Sequence, residues 1–330
     1  KRYANIHCIK HGRGKISSAV IGVPADFSYL KRKSLLCAAH LAKLGEVVLL
    51  PEPLAAMLSL REHLRVSHRV MVIDFGGGSC NYAIFSLEEK DAVKLVYANA
   101  VPIGGEHITD ALFNEIIPHE SHSFSQRWLL RRSVERAKCS FAWPPISPEV
   151  SAATQPEAPD SESYYDPDNP PKSGDYIQID WPYNVLDEDD FDHEEITYER
   201  FDQIVREKVT EVREWIKKDL PPLIEDVEKV VFIGESRRLY CFRDIFWEDW
   251  LKEEAGKHLG KEAEPYNLPR HEGSPQIDDS SQAVVKGCTQ FCAALHLPRF
   301  LPNRLPYQLK NPKQITLELR DEYGHDLSRS

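Results

Sequence analysis

Residues 70–85 read VMVIDFGGGSCNYAIF, and this stretch decides the fold. An apolar run ends in Asp74, three glycines and a serine follow, and a second alternating run begins at Asn81. This pattern predicts two β-strands joined by a tight turn of glycines. We call residues 76–79 the glycine turn.

The glycine turn has the composition of an anion-binding site. Glycine accepts a positive φ and lets a ligand come close, so several backbone N–H groups can point into one concavity. Asp74, at the adjacent strand end, can hold a hydrated divalent cation against bound phosphates. The turn lacks a following Lys-Ser or Lys-Thr and leads into a strand, so it is not the common P-loop. On this motif alone, a hairpin without a ligand is the alternative.

Bulk composition excludes several classes of protein. The chain has 330 residues with 42% hydrophobic and 28% charged residues, which is ordinary for a globular protein with a large core. A net charge of −11 disfavours a nucleic-acid partner, which binds basic surfaces. The longest apolar stretch is interrupted at 51–53 by Pro-Glu-Pro, so no membrane partner is expected. Seven cysteines without CxxC spacing favour a cytoplasmic or nuclear protein without a zinc site.

Strands and helices alternate along most of the chain, as in an α/β layered fold. Strands are predicted at 19–23, 47–50, 93–100 and 230–233. Helices are predicted at 34–44, from 53, and at 104–116, 126–141, 197–220 and 281–295. Gly45 is expected to end the first helix, and Pro53 to begin the second. The helix at 197–220 is expected to bury one face, comprising Phe201, Ile204, Val205, Val212, Trp215 and Ile216.

Composition also predicts the domain organisation. Residues 143–195 are rich in Pro, Ser, Asp and Glu and are expected to form a largely disordered surface insertion, with one strand-like island at 176–181. Its acidic run at 187–195 lacks the spacing of a calcium loop, so a solvated charged tract is favoured. The remaining units are 1–142, comprising the first lobe, the glycine turn and the start of a second lobe, then 196–297, the rest of that lobe, and 298–330, a peripheral tail.

Seven motifs in order carry a family resemblance over residues 18–297. They are Ile21-Gly22-Val23-Pro24-Ala25-Asp26-Phe27, Pro51-Glu52-Pro53-Leu54-Ala55-Ala56, Asp74-Phe75-Gly76-Gly77-Gly78-Ser79, Ile103-Gly104-Gly105-Glu106, Glu135-Arg136-Ala137-Lys138, Ile233-Gly234-Glu235-Ser236-Arg237-Arg238 and Ala283-Val284-Val285-Lys286-Gly287. This succession resembles the ATPase domain of the seventy-kilodalton heat-shock chaperones, in the actin-like superfamily. The resemblance implies an actin-like (ribonuclease H-like) α/β fold with two lobes around ATP or ADP and Mg²⁺.

The resemblance also implies site residues. Gly76, Gly77, Gly78 and Ser79 would bind the β- and γ-phosphates, and Asp74 and Glu52 would organise the metal. Glu135 and Lys138 would reach the ribose, whereas Gly104, Gly105, Gly234, Ser236 and Arg238 would border the nucleoside. Pro24 and Arg32 match a relay between nucleotide state and a partner domain, although a core proline and a surface arginine are equally good interpretations.

Departures from the family weaken the expected catalysis. Asn81 stands where the family has a second aspartate, Glu235 where it has a glycine, and Cys139 where an arginine stacks on adenine. The first phosphate hairpin and the catalytic lysine of the family have no match, and we expect them upstream of Lys1. Loss of one positioned charged group costs about 10²- to 10⁴-fold in rate.

Two functions from different classes follow. The first is an ATP-binding, chaperone-like protein whose hydrolysis is weak or absent, with co-chaperones or unfolded polypeptides as partners. The second is a non-catalytic scaffold of the nucleotide-exchange type with a degenerate nucleotide site. A small-molecule kinase of the same superfamily is a weaker alternative, because no acceptor-activating aspartate is evident.

Overall fold

A computed structural model describes residues 18–64, 69–87, 93–117, 123–141, 171–172, 174–180, 193–220, 224, 227–252 and 283–296. The expected tail at 298–330 and most of the expected insertion at 143–195 lie outside these ranges. The strands are β1 Ser18–Val23, β2 Glu46–Pro51, β3 Arg69–Phe75, β4 Cys80–Leu87, β5 Val93–Val101, β6 Tyr176–Asp180, β7 His193–Thr197 and β8 Lys229–Ile233. The α-helices are α1 Tyr29–Leu41, α2 Glu52–Leu60, α3 Gly105–Ile116, α4 Phe124–Ser140, α5 Tyr198–Asp219 and α6 Ala283–His296.

A four-stranded mixed sheet in the order β5-β4-β3-β8 forms the centre of the described structure. Strands β3 and β4 pair antiparallel, so that Asp74 lies opposite Asn81. Strand β8 pairs parallel with β3 and sets Ile233 beside Asp74. Because both β3 and β8 end at this edge, the glycine turn and Gly234 are brought together there.

Both faces of this sheet are buried, which explains the nearly continuous apolar composition of β3. On one face, Met71, Ile73 and Phe75 pack in a cluster with residues of α3, α4 and α5. On the other face, Val70 and Val72 pack in a second cluster with residues of α2 and α6. The alternation of consecutive β3 side chains between two cores follows from the two-residue period of a strand.

Helices α2 and α6 cross at very close range. A Cβ atom on Gly287 of α6 would lie 1.6 Å from the Ala55 carbonyl oxygen of α2, so the crossing requires glycine at this position. Gly22 of β1 also approaches α6, because its Cβ atom would meet Val284 at 3.2 Å. Helix α6 therefore packs against both strand β1 and helix α2, which begins with Glu52.

Strands β1 and β2 form a separate two-stranded parallel sheet. Helix α1, which connects them, buries only Ala39 and leaves Leu30 and Leu41 exposed. Pro51 ends β2 and Pro53 lies in the first turn of α2, as predicted from the sequence. The strand–helix–strand–helix order predicted for this region is confirmed, and it delivers Glu52 to the sheet edge.

The predicted bounds of α1 were wrong at both ends. The helix begins at Tyr29 because the Ser28 hydroxyl accepts a hydrogen bond from the Lys31 N–H, an N-cap that the apolar pattern did not reveal. It ends at Leu41, and the chain leaves it through Lys43, which has a φ of 54°. Gly45 has a φ of 80°, but it precedes β2 and is not the C-terminal glycine of the helix.

Helix α5 confirms five of the six residues expected on its buried face. Trp215 is the exception, with 52% of its surface exposed. The end of α5 is instead fixed to the sheet by Asp219, whose Oδ2 accepts hydrogen bonds from Tyr82 at 2.5 Å, from Asn99 at 3.1 Å and from Tyr97.

The strand-like island expected within the insertion is confirmed as β6, which pairs antiparallel with β7. The sequence pattern missed β7, and the boundary expected at 195 falls inside that strand. Ile177 and Ile179 of β6 and Ile196 of β7 belong to the core cluster that contains α4 and α5. This strand pair therefore packs into the same core as α4 and α5.

Candidate functional site

The glycine turn is held from one side by hydrogen bonds to its carbonyl groups. The Gly76 N–H donates to the Ser79 carbonyl at 3.0 Å and closes the turn. The Gly76 carbonyl accepts from the Gly105 N–H at 3.0 Å and from the Ser236 hydroxyl at 2.8 Å. The Gly77 carbonyl accepts from the Glu106 N–H at 2.8 Å. The carbonyl groups of the turn therefore face protein.

The opposite side of the turn is open. Within the described residues, the N–H groups of Gly77 and Gly78 donate to no backbone carbonyl. A Cβ atom on Gly78 would meet nothing within 4 Å, and one on Gly77 would come no closer than 3.7 Å to Glu106. None of the three glycines has a positive φ, so the expectation that they serve left-handed backbone was wrong. They leave unfilled space beside backbone donors, which suits a bound phosphate.

Three other glycines of the site are required by the protein itself. A Cβ atom on Gly104 would lie 2.4 Å from the Gly77 carbonyl oxygen, and one on Gly105 would lie 2.4 Å from the Ser236 hydroxyl. Gly234 combines a φ of 84° with an approach of 2.4 Å to the Phe75 carbonyl oxygen. These close contacts hold the start of α3 and the end of β8 against the glycine turn.

An acidic pair lies beside the turn. Asp74 is the penultimate residue of β3 and has 7% of its surface exposed, and Glu52 begins α2. The Asn81 side chain donates from Nδ2 to Glu52 Oε2 at 2.8 Å and accepts at Oδ1 from the Ala25 N–H at 3.0 Å. The structure thus brings together Asp74, Glu52 and Asn81, which the resemblance had assigned to catalysis and metal binding.

Burial changes the proton affinity of both acids. It raises the pKa of Asp74 to about 7, and the negative charge of Glu52 contributes in the same direction. Burial also raises the pKa of Glu52, although the hydrogen bond from Asn81 acts in the opposite direction. Without a cation, burial disfavours the ionised form of both carboxyl groups. A bound cation would offset that negative charge, so the pair suits a cation site.

Lys138 is a buried cation behind the first turn of α3. Only 6% of its surface is exposed, and its Nζ donates to the Gly105 carbonyl at 2.7 Å and to Thr109 Oγ1 at 2.8 Å. Burial lowers the pKa of Lys138. In this arrangement Lys138 stabilises the helix end that contacts the glycine turn, and contact with a ribose stays a prediction.

The remaining predicted site residues lie at the border of this region. Glu135 lies one turn before Lys138 on α4. Arg238 forms an ion pair with Glu235 at 3.0 Å, within the 3₁₀ turn Glu235–Arg238 that follows Gly234. Glu235, Arg238 and Glu135 are all close enough to Cys139 to influence its thiol electrostatically. The family departures at 139 and 235 are therefore neighbours in space.

Pro24 lies on the turn between β1 and α1, and Arg32 lies in the first turn of α1. The Pro24 carbonyl accepts from the Phe27 N–H at 3.2 Å, and Arg32 Nε donates to the Phe27 carbonyl at 2.8 Å. Arg32 is therefore more than a surface charge, because it fixes the turn that also contains Ala25. Its role in a relay stays a prediction.

The donors present fit one hydrated magnesium ion. Among the described residues, no three His, Cys, Asp or Glu side chains converge as a metal cluster. Mg²⁺ commonly binds through one or two carboxylates, with waters and substrate phosphates completing its shell. Asp74 and Glu52 supply that number of carboxylates beside the open face of the glycine turn.

Sequence reasoning missed three contributors to the site. Glu106 lies in a quoted motif, yet no role was given to the side chain that now borders Gly77. Thr109 accepts from Lys138, and the Ala25 N–H binds Asn81. Thr109 lies four residues after Gly105, a spacing that signals one helix face, whereas no local pattern could have linked residues 25 and 81.

Comparisons with known proteins agree with this architecture. The family model described as MreB/Mbl protein matches residues 4–125. The chaperone protein HscA of Buchnera aphidicola subsp. Baizongia pistaciae (strain Bp) is 33% identical over 112 residues, which are 34% of this chain and 22% of HscA. The chain thus matches about a fifth of the length of this relative.

Together the two matches confirm the resemblance to an actin-like ATPase domain of the heat-shock chaperone type. The mixed sheet with helices on both faces confirms the α/β fold class. Across the described ranges, no helix combines the length and hydropathy that crossing a membrane requires.

Proposed function

We propose that this chain, an actin-like ATPase domain of heat-shock chaperone type, binds ATP or ADP with Mg²⁺ at the glycine turn and serves a chaperone-like role. One observation carries the proposal. In the described part of the chain the Gly77 and Gly78 N–H groups donate to no backbone carbonyl, the Cβ positions of both glycines are uncrowded, and the interacting carboxyl groups of Asp74 and Glu52 lie next to this turn. Backbone donors and a carboxylate pair are what a magnesium-bound polyphosphate requires.

Each group has a distinct role in this proposal. Gly76, Gly77, Gly78 and Ser79 form the turn that contacts the β- and γ-phosphates, with the N–H groups of Gly77 and Gly78 as donors, because the Gly76 N–H is already bonded to the Ser79 carbonyl. Asp74 and Glu52 orient the waters of the metal, which when bound offsets phosphate charge and polarises the terminal phosphoryl group. The border residues around the nucleoside are Gly104, Gly105, Glu135, Lys138, Gly234, Ser236 and Arg238.

Hydrolysis is proposed to be weak or absent. The side chain of Asn81 is neutral, so it cannot accept a proton from water or hold a cation by charge. Both ends of its amide are already engaged, with Glu52 and with the Ala25 N–H. In this proposal the site binds a nucleotide but lacks a carboxylate at position 81, where the heat-shock family has an aspartate.

Calorimetric titration with ATP and Mg²⁺ tests the proposal. The chain is expected to show saturable binding that Asp74→Asn weakens about tenfold, because the variant keeps the side-chain shape but loses the charge facing the metal. Asp249→Asn is the matched control, since Asp249 lies in an exposed pair with Arg213 at 3.6 Å. Absence of binding at millimolar ATP would contradict the proposal.

A non-catalytic scaffold is the second candidate, favoured by the surface of α1. Tyr29, Leu30, Leu36 and Leu41 are exposed on this helix, which is an apolar surface of the sort that co-chaperones or polypeptide clients could contact. Thermal unfolding distinguishes the candidates, because a ligand at 100 times its dissociation constant adds about 2.7 kcal/mol to stability. A scaffold that ignores ATP would show no such gain.

A further inference from the structure

The side chain of Asn81 makes two hydrogen bonds in opposite senses. Its Nδ2 donates to Glu52 Oε2 at 2.8 Å, and its Oδ1 accepts from the Ala25 N–H at 3.0 Å. Only 2% of Asn81 is exposed, so water competes little for either bond. One buried amide therefore connects three separate segments: β4, the start of α2 and the turn after β1.

An ionised aspartate at position 81 could not make the same connection. It can accept from the Ala25 N–H, but it has no proton to donate to an ionised Glu52, so the second bond would exist only while one of the two carboxyl groups kept a proton. It would also add a third negative charge beside Asp74 and Glu52. The amide of Asn81 thus makes both hydrogen bonds whether or not Glu52 is ionised, which an aspartate would not.

The turn that Asn81 contacts is itself fixed. Its Phe27 N–H bonds to the Pro24 carbonyl at 3.2 Å, and Arg32 Nε of α1 bonds to the Phe27 carbonyl at 2.8 Å. Glu52 is therefore connected through Asn81 to a rigid turn, and that turn is connected to α1. A side chain held at both ends loses little further entropy when a ligand arrives.

We infer that Asn81 is a positioning residue that fixes the Glu52 carboxylate to the Ala25 turn and so makes nucleotide binding less dependent on Mg²⁺ than an aspartate would. The second half of this inference rests on the proposed nucleotide function. The first half concerns the nucleotide-free protein and stands apart from it.

The first experiment measures thermal unfolding of the nucleotide-free chain in EDTA. Asn81→Asp is expected to lower the melting temperature by about 5 °C, because one hydrogen bond is replaced by repulsion between carboxylates. Asn114→Asp, on the exposed surface of α3, makes the same charge change and is the control. We call the two hydrogen bonds through which Asn81 connects Glu52 to Ala25 the bridge. A melting temperature for Asn81→Asp that matches this control would overturn the bridge.

A swap separates the hydrogen bond from simple repulsion. In the Asn81→Asp background, Glu52→Gln supplies a new amide that can donate to the new carboxylate, which still accepts from the Ala25 N–H. Glu52→Ala removes the repulsion but supplies no donor. The bridge predicts that Glu52→Gln restores most of the lost melting temperature and Glu52→Ala restores clearly less. Equal recovery by both would overturn the bridge.

The second experiment compares ATP dissociation constants with Mg²⁺ and with EDTA. The ratio of the two constants is expected to be at least about tenfold larger in Asn81→Asp than in the unaltered chain, because a third carboxylate repels uncomplexed phosphate. An unchanged ratio would overturn the metal-dependence part. Lack of ATP binding by the unaltered chain would instead overturn the proposed function, while the melting data would still decide the bridge.

Discussion

The two sides of the glycine turn use the same residue type for opposite reasons. On the protein side, Gly104 and Gly234 are glycines because a Cβ atom would lie 2.4 Å from a backbone oxygen. On the open side, Gly78 is a glycine although nothing lies within 4 Å of the Cβ position. Packing explains Gly104 and Gly234, whereas no packing contact explains Gly78, for which we propose the phosphate site.

Structural and functional glycines of one motif can therefore be told apart by what lies at their Cβ positions. A glycine that the fold requires should be costly to replace whether or not a ligand is present. Replacing a glycine that a ligand requires should change the free energy of unfolding little but should weaken binding of the ligand.

Gly104→Ala is expected to have the largest effect, lowering the free energy of unfolding by about 4 kcal/mol. The new methyl group would collide with the Gly77 carbonyl oxygen at 2.4 Å and the Ser79 nitrogen at 2.6 Å, and neither backbone atom can move easily. Chemical denaturation without nucleotide measures the loss. A value close to that of the unaltered chain would remove the distinction between the two sides.

Asp74→Asn is expected to stabilise the protein at alkaline pH. Because burial raises the pKa of Asp74 to about 7, the folded state binds this proton more tightly than the unfolded state, and stability falls as pH rises toward and through 7. The variant avoids that loss, so at pH 8.5 it should be more stable by roughly 3 kcal/mol, with little difference near pH 4. Denaturation at both pH values, without metal, provides the measurement.

A pH-independent difference for Asp74→Asn would show that the buried acid is not the source of the effect. Glu52→Gln gives a useful comparison, because its carboxyl group is less buried and receives a hydrogen bond from Asn81. Its pH dependence should have the same sign and a smaller amplitude.

Ser236→Ala is expected to cost about 1 kcal/mol on the protein side. The substitution removes the hydroxyl that donates to the Gly76 carbonyl at 2.8 Å, while Gly76 keeps its bond from the Gly105 N–H. Denaturation gives the stability, and calorimetry gives the ATP affinity. A loss of several kcal/mol would mean that this hydroxyl organises the turn more than one hydrogen bond explains.

Gly78→Ala is expected to have the smallest effect on stability, about 0.5 kcal/mol or less in either direction. The new Cβ atom enters open space on a backbone without positive φ. The dissociation constant for ATP with Mg²⁺ should nevertheless rise about tenfold or more, since the methyl group occupies the space proposed for phosphate. A folded variant with unaltered affinity would place the nucleotide elsewhere.

Much of the fold could be predicted because it rests on local periodicity. The apolar runs around the glycine turn predicted β3 and β4, and alternation with helices predicted the layered α/β arrangement. The edge of the sheet where Asp74 and Gly234 meet also followed, because both lie at the ends of predicted strands. The order of the seven short motifs indicated a resemblance to the actin-like superfamily, which periodicity alone does not specify.

The errors came from neighbours that are distant in sequence. Periodicity placed Trp215 on the buried face of α5, but it could not show that the neighbouring elements cover Ile216 completely and leave Trp215 at the border of that face. Strand β7 was missed because its residues are acidic, and only its partner β6 makes it a strand. The bridge from Glu52 to Ala25 depends on residue 81, which no local pattern links to either.

The crossing of α2 and α6 sets a practical limit on how this protein can be shortened. Helix α2, which begins with Glu52, packs against residues more than two hundred positions later in the chain, where Gly287 of α6 contacts Ala55. A recombinant fragment that stopped at residue 252 would keep every glycine and acid of the site, yet it would uncover the apolar flank of α2. Such a product should be prone to aggregation, whereas fragments extending through His296 retain the support.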